Sequence, residues 1–253
     1  MNATRFEYRF RFALHAIIFF LGFMAPWDRF LPALDSSGVK GDSTWLVLST
    51  ILWRQGWFSF QIATVVLLVF ALIFTGVAAW LRTWGTAYVS AGVMRSRSMH
   101  GLGLLADGPF RRTRNPLYLG TLLHTIGVAI LMPPTGAVFA IAAIWILQIR
   151  LARAEEPYLL AQFGQPYADY LARVPRFIPA LRPRVPAAGA APHWFQAILG
   201  ELYFIGAFIT LAAFGWSFNA NPLRRGILIS LGLWFIALAL LPRAPKPIQA
   251  DAS

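Results

Sequence analysis

Two short segments of this 253-residue chain hold most of the side chains with the types and spacing to do chemistry. The first reads Asp107-Gly108-Pro109-Phe110-Arg111-Arg112-Thr113-Arg114-Asn115-Pro116-Leu117-Tyr118. Gly108-Pro109 forces a turn, and Pro116 suits the first turn of a following helix, where its missing N–H costs nothing. Asn115 then stands at the N-cap position. Arg111 and Arg114 lie beside a helix N-terminus with free backbone N–H groups, an arrangement that holds a carboxylate or a phosphate. Anchoring at a membrane boundary accounts for the same arginines without a ligand. The second segment, 150–179, carries three of the ten acidic residues, Glu155, Glu156 and Asp169. Adjacent carboxylates repel, so Glu155 and Glu156 require a cation. Arg150 and Arg153 are local candidates, and an ammonium or sulfonium ligand is another. Tyr167, Tyr170 and Arg173 follow at intervals of three and share one helical face, as they would in an amphipathic helix lying in the headgroup region.

The elements that must position these residues are membrane helices. Hydrophobic residues make up 58% of the chain and charged residues 13%, against about 45–50% and ~25% in soluble domains. There is no cysteine, which removes disulfides, thiolate metal sites and iron–sulfur clusters. Six apolar stretches approach the ~20 residues needed to cross a bilayer: 12–25, 57–81, 117–132, 135–151, 194–216 and 225–241. The third and fourth, joined by Met132-Pro133-Pro134, form a tight hairpin. Residues 44–53 are too short to span and are expected to re-enter or lie on the membrane. Seventeen of the 22 Lys and Arg fall before the first span, after the sixth, or in the two long loops that follow spans two and four. Both termini and both long loops are therefore expected in the cytoplasm. The net charge of +12 becomes a matter of orientation, and nucleic acid is not expected as a partner. The chain divides into N-terminal membrane helices (1–101), a core (102–182), a Pro-rich linker (183–193) and a C-terminal helix pair (194–253).

The pattern GPFRRTRNPLYLG, then a helical hairpin, then EEPYLLAQFGQPYADYLARVPRFIP, resembles the isoprenylcysteine carboxyl methyltransferase and phospholipid methyltransferase family of integral membrane enzymes. The resemblance covers about 102–179. It implies an all-α integral membrane protein of about six transmembrane helices, with two cytoplasmic loops forming a site for S-adenosylmethionine. It also implies a lipophilic acceptor, an isoprenoid or prenyl carboxylate or a lipid amine, that enters between the spans. The family's Arg-His-Pro motif and Glu pair match Arg114, Asn115, Pro116, Glu155 and Glu156. Gly108, Pro109, Arg111 and Tyr118 border the same cofactor site, and the backbone of Leu104, Leu105 and Ala106 is expected near the adenine. Arg173 matches the arginine before Val-Pro that lies near the methyl acceptor, with Tyr170 beside it. Asn115 stands where the family has histidine, Phe110 where it has tyrosine, and Leu102 where many members carry histidine.

Methyl transfer from a sulfonium is an in-line displacement that needs alignment and dryness more than a covalent catalyst. Glu155 or Glu156 suits the cofactor's ammonium; Arg111 or Arg114 suits its carboxylate. Arg173 would orient a carboxylate acceptor, whereas an amine would need a base that this region supplies only as tyrosine or glutamate. An acceptor that is already anionic is therefore favoured. Glu201, an intramembrane carboxylate, is a further catalytic candidate. His124 is a candidate for lining a substrate cavity, while His15 and Gln148 read as structural, and no metal site is expected. Two rivals remain. One is an NADPH-dependent membrane sterol or isoprenoid reductase, with Arg95 and Arg97 as phosphate ligands. The other is a transporter or non-catalytic lipid-binding protein, which the concentration of polar residues away from the midplane disfavours. A bacterial inner membrane is the expected location.

Overall fold

The computed structural model describes residues 3–24, 43–89, 106–218 and 220–240, and among them every regular element is helical. Helices α1 (Arg5–Arg9), α2 (Arg11–Met24), α3 (Thr44–Arg54) and α4 (Phe60–Val89) are followed by a 3-10 turn at Gly108–Arg111. Then come α5 (Pro116–Ala129), α6 (Pro134–Phe163), α7 (Gln165–Arg173), α8 (Trp194–Gly200), α9 (Leu202–Ser217) and α10 (Ala220–Leu240).

All six expected spans coincide with helices, but fewer than six can cross a bilayer alone. Only α4 and α6 pass on length and apolarity among the described residues, and the α8–α9 pair, bent by 68°, makes a third if it counts as one span. For two of the helices the reason is length: α2 and α5 have 14 residues each, a rise of about 21 Å against a hydrocarbon thickness of about 30 Å. Helices α4 and α6 have 30 residues each, about 45 Å. They therefore project beyond the hydrocarbon, and they carry Arg82 and the Glu155-Glu156 pair about two turns before their C-terminal ends. The second expected cytoplasmic loop is thus not a loop at its start. α6 runs unbroken past the Glu pair and stops at Gly164, whose φ of +61° a side chain would disfavour.

Helix α5 lies along α4 and closes a core of Leu68, Ala71, Ile130, Leu211 and Phe214. Gly120 permits the approach: a Cβ there would lie 2.5 Å from Arg82 Cγ. On the other side α2 packs against α6, around Val128, Met132, Ala137 and Ala140. Helix α3, 11 residues long, begins at the end of α5. Thr44 N–H and Oγ1 donate to Met132 O at 2.7 and 2.8 Å, and Trp45 N–H donates to Ile130 O at 2.8 Å, filling carbonyls that a helix C-terminus leaves open. The outward faces carry Phe12, Phe20, Phe70, Ile73 and Phe235 exposed, as a lipid-facing surface requires.

Candidate active site

The two polar segments singled out in the sequence fold into one bonded unit. Arg114 N–H donates to Pro175 O at 2.9 Å, Ala180 N–H to Arg112 O at 2.9 Å and Arg184 N–H to Arg111 O at 2.8 Å. Side chains add to this seam: Arg111 Nε donates to Val185 O at 2.9 Å, Thr113 Oγ1 to Phe177 O at 3.0 Å and Asn115 Nδ2 to Arg176 O at 3.0 Å. Tyr170 OH, buried, donates to Phe110 O at 2.9 Å, so α7 braces the turn before α5. Asp107, also buried, accepts Ala188 and Ala190 N–H at 3.0 and 2.8 Å. The Pro-rich segment 183–193 is thereby fastened against the turn.

The charges concentrate at the projecting end of α6. Successive helical residues point about 100° apart, so Glu155 and Glu156 face different neighbours. Glu156 accepts Arg176 Nε at 2.9 Å and Nη2 at 2.7 Å, and Arg114 Nη1 at 2.8 Å. Arg114 Nε is buried without a partner. Glu155 Oε1 accepts Tyr118 OH at 2.6 Å. The bond to Glu156 holds the Arg176 guanidinium above its ordinary pKa. Burial, then the negative charge of Glu156, pushes the Tyr167 hydroxyl up to about 12, and burial raises Tyr170 as well. Both phenols are hydrogen-bond donors at neutral pH, not bases.

Several expectations change in detail. Arg150 pairs with Glu7 at 2.8 Å and is not the local partner of the Glu pair. Asn115 occupies the N-cap position of α5 without a capping bond, because its amide is spent on Arg176 O. Arg173, expected near the acceptor, is exposed in the last turn of α7, and Arg176 joins the carboxylate cluster. Pro109 and Pro116 are buried, and Gly108 adopts φ +56° against the Tyr88 ring. Ala106 is partly buried just before the turn, while Leu104, Leu105, Leu102, Arg95 and Arg97 lie outside the described residues.

Glu201 is 4% exposed and sits at the bend between α8 and α9, where it meets Arg82. Arg82 Nε and Nη2 donate to its two oxygens at 2.6 and 3.0 Å, and Thr86 Oγ1 donates at 2.7 Å. Arg82 Nη1 also reaches Leu117 O at 3.1 Å and Thr121 Oγ1 at 2.7 Å, and its guanidinium lies 3.9 Å from the Phe204 ring centre. His124, fully enclosed, contacts Tyr203 OH at 3.3 Å through Nε2, and its Nδ1 has no partner. His15 and Gln148 meet across α2 and α6 at 2.9 Å. Arg82 and Arg176 were missed by sequence reasoning. The signal for Arg82 was present, since it is the single charge in the apolar run 60–89 and Glu201 is the single acid in 194–240. Two lone opposite charges in apolar surroundings must find each other.

Comparison with known proteins matches residues 60–166 to the phospholipid methyltransferase family model. The chain is similar to protein-S-isoprenylcysteine O-methyltransferase B of Arabidopsis thaliana, 28% identical over 100 residues, 37% of this chain and 51% of that protein. It spans only about half the length of that relative. It is also similar to the cobalt-zinc-cadmium resistance protein CzcN of Cupriavidus metallidurans, 22% identical over 188 residues, 73% of this chain and 83% of that protein. No solved structure matches.

Proposed function

We propose that this chain, whose residues 60–166 match the phospholipid methyltransferase family model, transfers a methyl group from S-adenosylmethionine to a lipophilic acceptor at the cytoplasmic face of a bacterial inner membrane. The observation that carries this reading is the pairing, at one end of α6, of a buried and unpartnered Arg114 Nε with two carboxylates. An amino acid end with both charges fits that donor and acceptor set. Arg114 Nε and the open N-terminus of α5 suit its carboxylate. Glu155, whose Oε1 takes a neutral phenol, suits its ammonium better than Glu156, which already carries two guanidiniums. S-adenosylmethionine would supply an electrophilic methyl group on a sulfonium.

The chain's own residues bind, orient and exclude water. Glu156 locks Arg114 and Arg176 in place, so the donors are fixed before any ligand arrives. The seam between 111–115 and 175–185 closes the polar end of the helix pair. Arg173, exposed and outside the Glu156 cluster, is the cation available to an acceptor carboxylate. No phenol near the cluster acts as a base, since Tyr167 and Tyr170 are both shifted upward. That favours an acceptor already anionic at neutral pH, an isoprenoid or prenyl carboxylate.

Calorimetry with S-adenosylmethionine on the full chain tests the assignment. Glu156→Gln and Arg114→Ala are expected to lose measurable binding while keeping their helical circular dichroism. Unchanged affinity in both variants, or thermal stabilisation by NADPH alone, removes the reading. Incubation with labelled cofactor and a total lipid extract, followed by mass spectrometry, then identifies what gains the methyl group.

A further inference from the structure

Past Glu156's partner Arg176, the chain runs on as a braced turn whose large apolar side chains are left exposed. Residues 175–184 read PRFIPALRPR, and Pro175, Pro179 and Pro183 fix φ at every fourth position. The turn before α5 pins the same stretch: Arg112 O accepts Ala180 N–H at 2.9 Å, Arg112 Nη1 donates to Leu181 O, Thr113 Oγ1 donates to Phe177 O at 3.0 Å and Arg111 O accepts Arg184 N–H at 2.8 Å. Ile178 and Leu181 are nonetheless 83% and 94% exposed. A loose loop can fold such side chains back onto the protein. A braced one holds them out, and aliphatic groups held out in this way mark a surface for an apolar partner.

Two contacts set the depth of this segment. Arg176 Nη2 bonds to Glu156 at 2.7 Å, and the ring of the next residue, Phe177, lies 4.9 Å from that of Trp145. Glu156 and Trp145 are about three turns apart on α6, roughly 16 Å. The backbone at 176–177 therefore runs beside α6 between those two levels, which bracket Arg150, the first charge of this long apolar helix. A spanning helix keeps its charges out of the hydrocarbon, so that level is the boundary between acyl chains and headgroups. Arg182 and Arg184 are exposed there and belong to none of the four ion pairs among the described residues, and residues 170–200 contain no acid. Apolar side chains beside unneutralised arginines at that depth are complementary to the leaflet of a membrane rich in anionic lipid.

We propose that 176–184 is a lipid-docking wedge: Ile178 and Leu181 enter the acyl region, and Arg182 and Arg184 bind the phosphates of anionic lipids around them. The turn that closes the polar end of the α5–α6 pair is thereby seated on the bilayer. The docking does not depend on methyl transfer.

The chain has no cysteine, so Leu181→Cys and Ile178→Cys each take a single bimane fluorophore. Gln162→Cys, exposed on α6 about three turns past Arg150, is the reference. The labelled full chains are placed in phosphatidylcholine nanodiscs containing a rising fraction of phosphatidylglycerol or phosphatidylcholine with a nitroxide on the upper acyl chain, and are titrated separately with aqueous iodide. At 178 and 181 the nitroxide lipids are expected to quench and iodide is not, the reverse of 162. Phosphatidylglycerol should reach half-quenching at about fivefold lower mole fraction than phosphatidylcholine, the scale of one arginine at a lipid surface, and Arg182→Gln with Arg184→Gln should remove that preference. Quenching by iodide at either position means that the segment lies in water and overturns the proposal. Protection from both quenchers means that protein covers the segment and does the same. Equal quenching by the two lipids, or a preference that survives loss of both arginines, also overturns it.

Discussion

Glu201→Ala separates a structural from a chemical role for the buried carboxylate at the α8–α9 bend. The substitution removes three hydrogen bonds, two from Arg82 at 2.6 and 3.0 Å and one from Thr86 at 2.7 Å. Arg82 would keep Leu117 O, Thr121 Oγ1 and the face of Phe204, but its charge would have no counter-ion. Breaking a buried pair from one side costs about 3–5 kcal/mol. The Arg82 side chain is 17% exposed, so some solvation survives and the lower end, about 3 kcal/mol, is expected. Removing both charges, in Arg82→Met with Glu201→Met, should return stability to within about 1 kcal/mol of the original, because the desolvation cost disappears with the attraction. The assay is reversible unfolding in mixed micelles across the four proteins of this double-mutant cycle, with methyl transfer measured in parallel. A single variant as stable as the original, or a double variant no better than the single, refutes the staple. So does Glu201→Gln that keeps full stability and loses all transfer, which would give the carboxylate a role in the chemistry.

Two further outcomes follow from the geometry. Arg150, chiefly by hydrogen bonding, holds the Glu7 carboxyl down to about 2 from 4.5. A depressed acid stabilises the fold above its unfolded value and loses that contribution as pH falls through the folded one, so the difference in thermal midpoint between the original protein and Glu7→Gln should be constant at neutral pH and narrow below about 4.5; a gap that persists to pH 2 contradicts a stabilising Glu7–Arg150 pair. Gly120→Ala would put a Cβ 2.5 Å from Arg82 Cγ and 3.3 Å from Ala78 O. It should destabilise by about 1–3 kcal/mol, whereas Gly232→Ala, with nothing within 4 Å, should be neutral or mildly stabilising in the same thermal assay.

What the sequence made legible was what repeats or punctuates. Pro116 opened α5 and Met132-Pro133-Pro134 closed it, because proline constrains φ and the N–H locally and needs no tertiary context. Apolar stretches located the helices for the same reason. What could not be read was which charge meets which. Arg150 lies next to the Glu pair in sequence and was credited to it, yet about a turn and a half along a helix turns a side chain to another face, where Glu7 waits. Arg173 keeps its motif position and stays exposed, while the C-terminal end of α7 frees the chain to turn, and Arg176 comes back onto Glu156, a pairing no spacing announced. Span number failed in part for a related reason. Hydropathy sees composition, while crossing a bilayer needs length, and α2 and α5 reach only 14 residues each.

The ion pairs also show why a site built on 60–166 is not complete within it. Of the four ion pairs among the described residues, only Arg114–Glu156 lies wholly inside the matched segment. Arg82 is neutralised by Glu201 from the C-terminal helices, Arg150 by Glu7 from the N-terminal helix, and Glu156 takes Arg176 from the tail. Charges at the edge of a hydrocarbon layer are expensive unless paired, so each flank has a specific electrostatic reason to dock where it does. The flanks then control more than stability. The N-terminal one fastens to α6 through Glu7 and Arg150, and the C-terminal one brings Tyr203 and Phe204 against His124 of α5, the helix that Arg114 precedes. Two chains that share the 60–166 pattern but carry different flanks would therefore keep Arg114–Glu156 and differ in the walls around it.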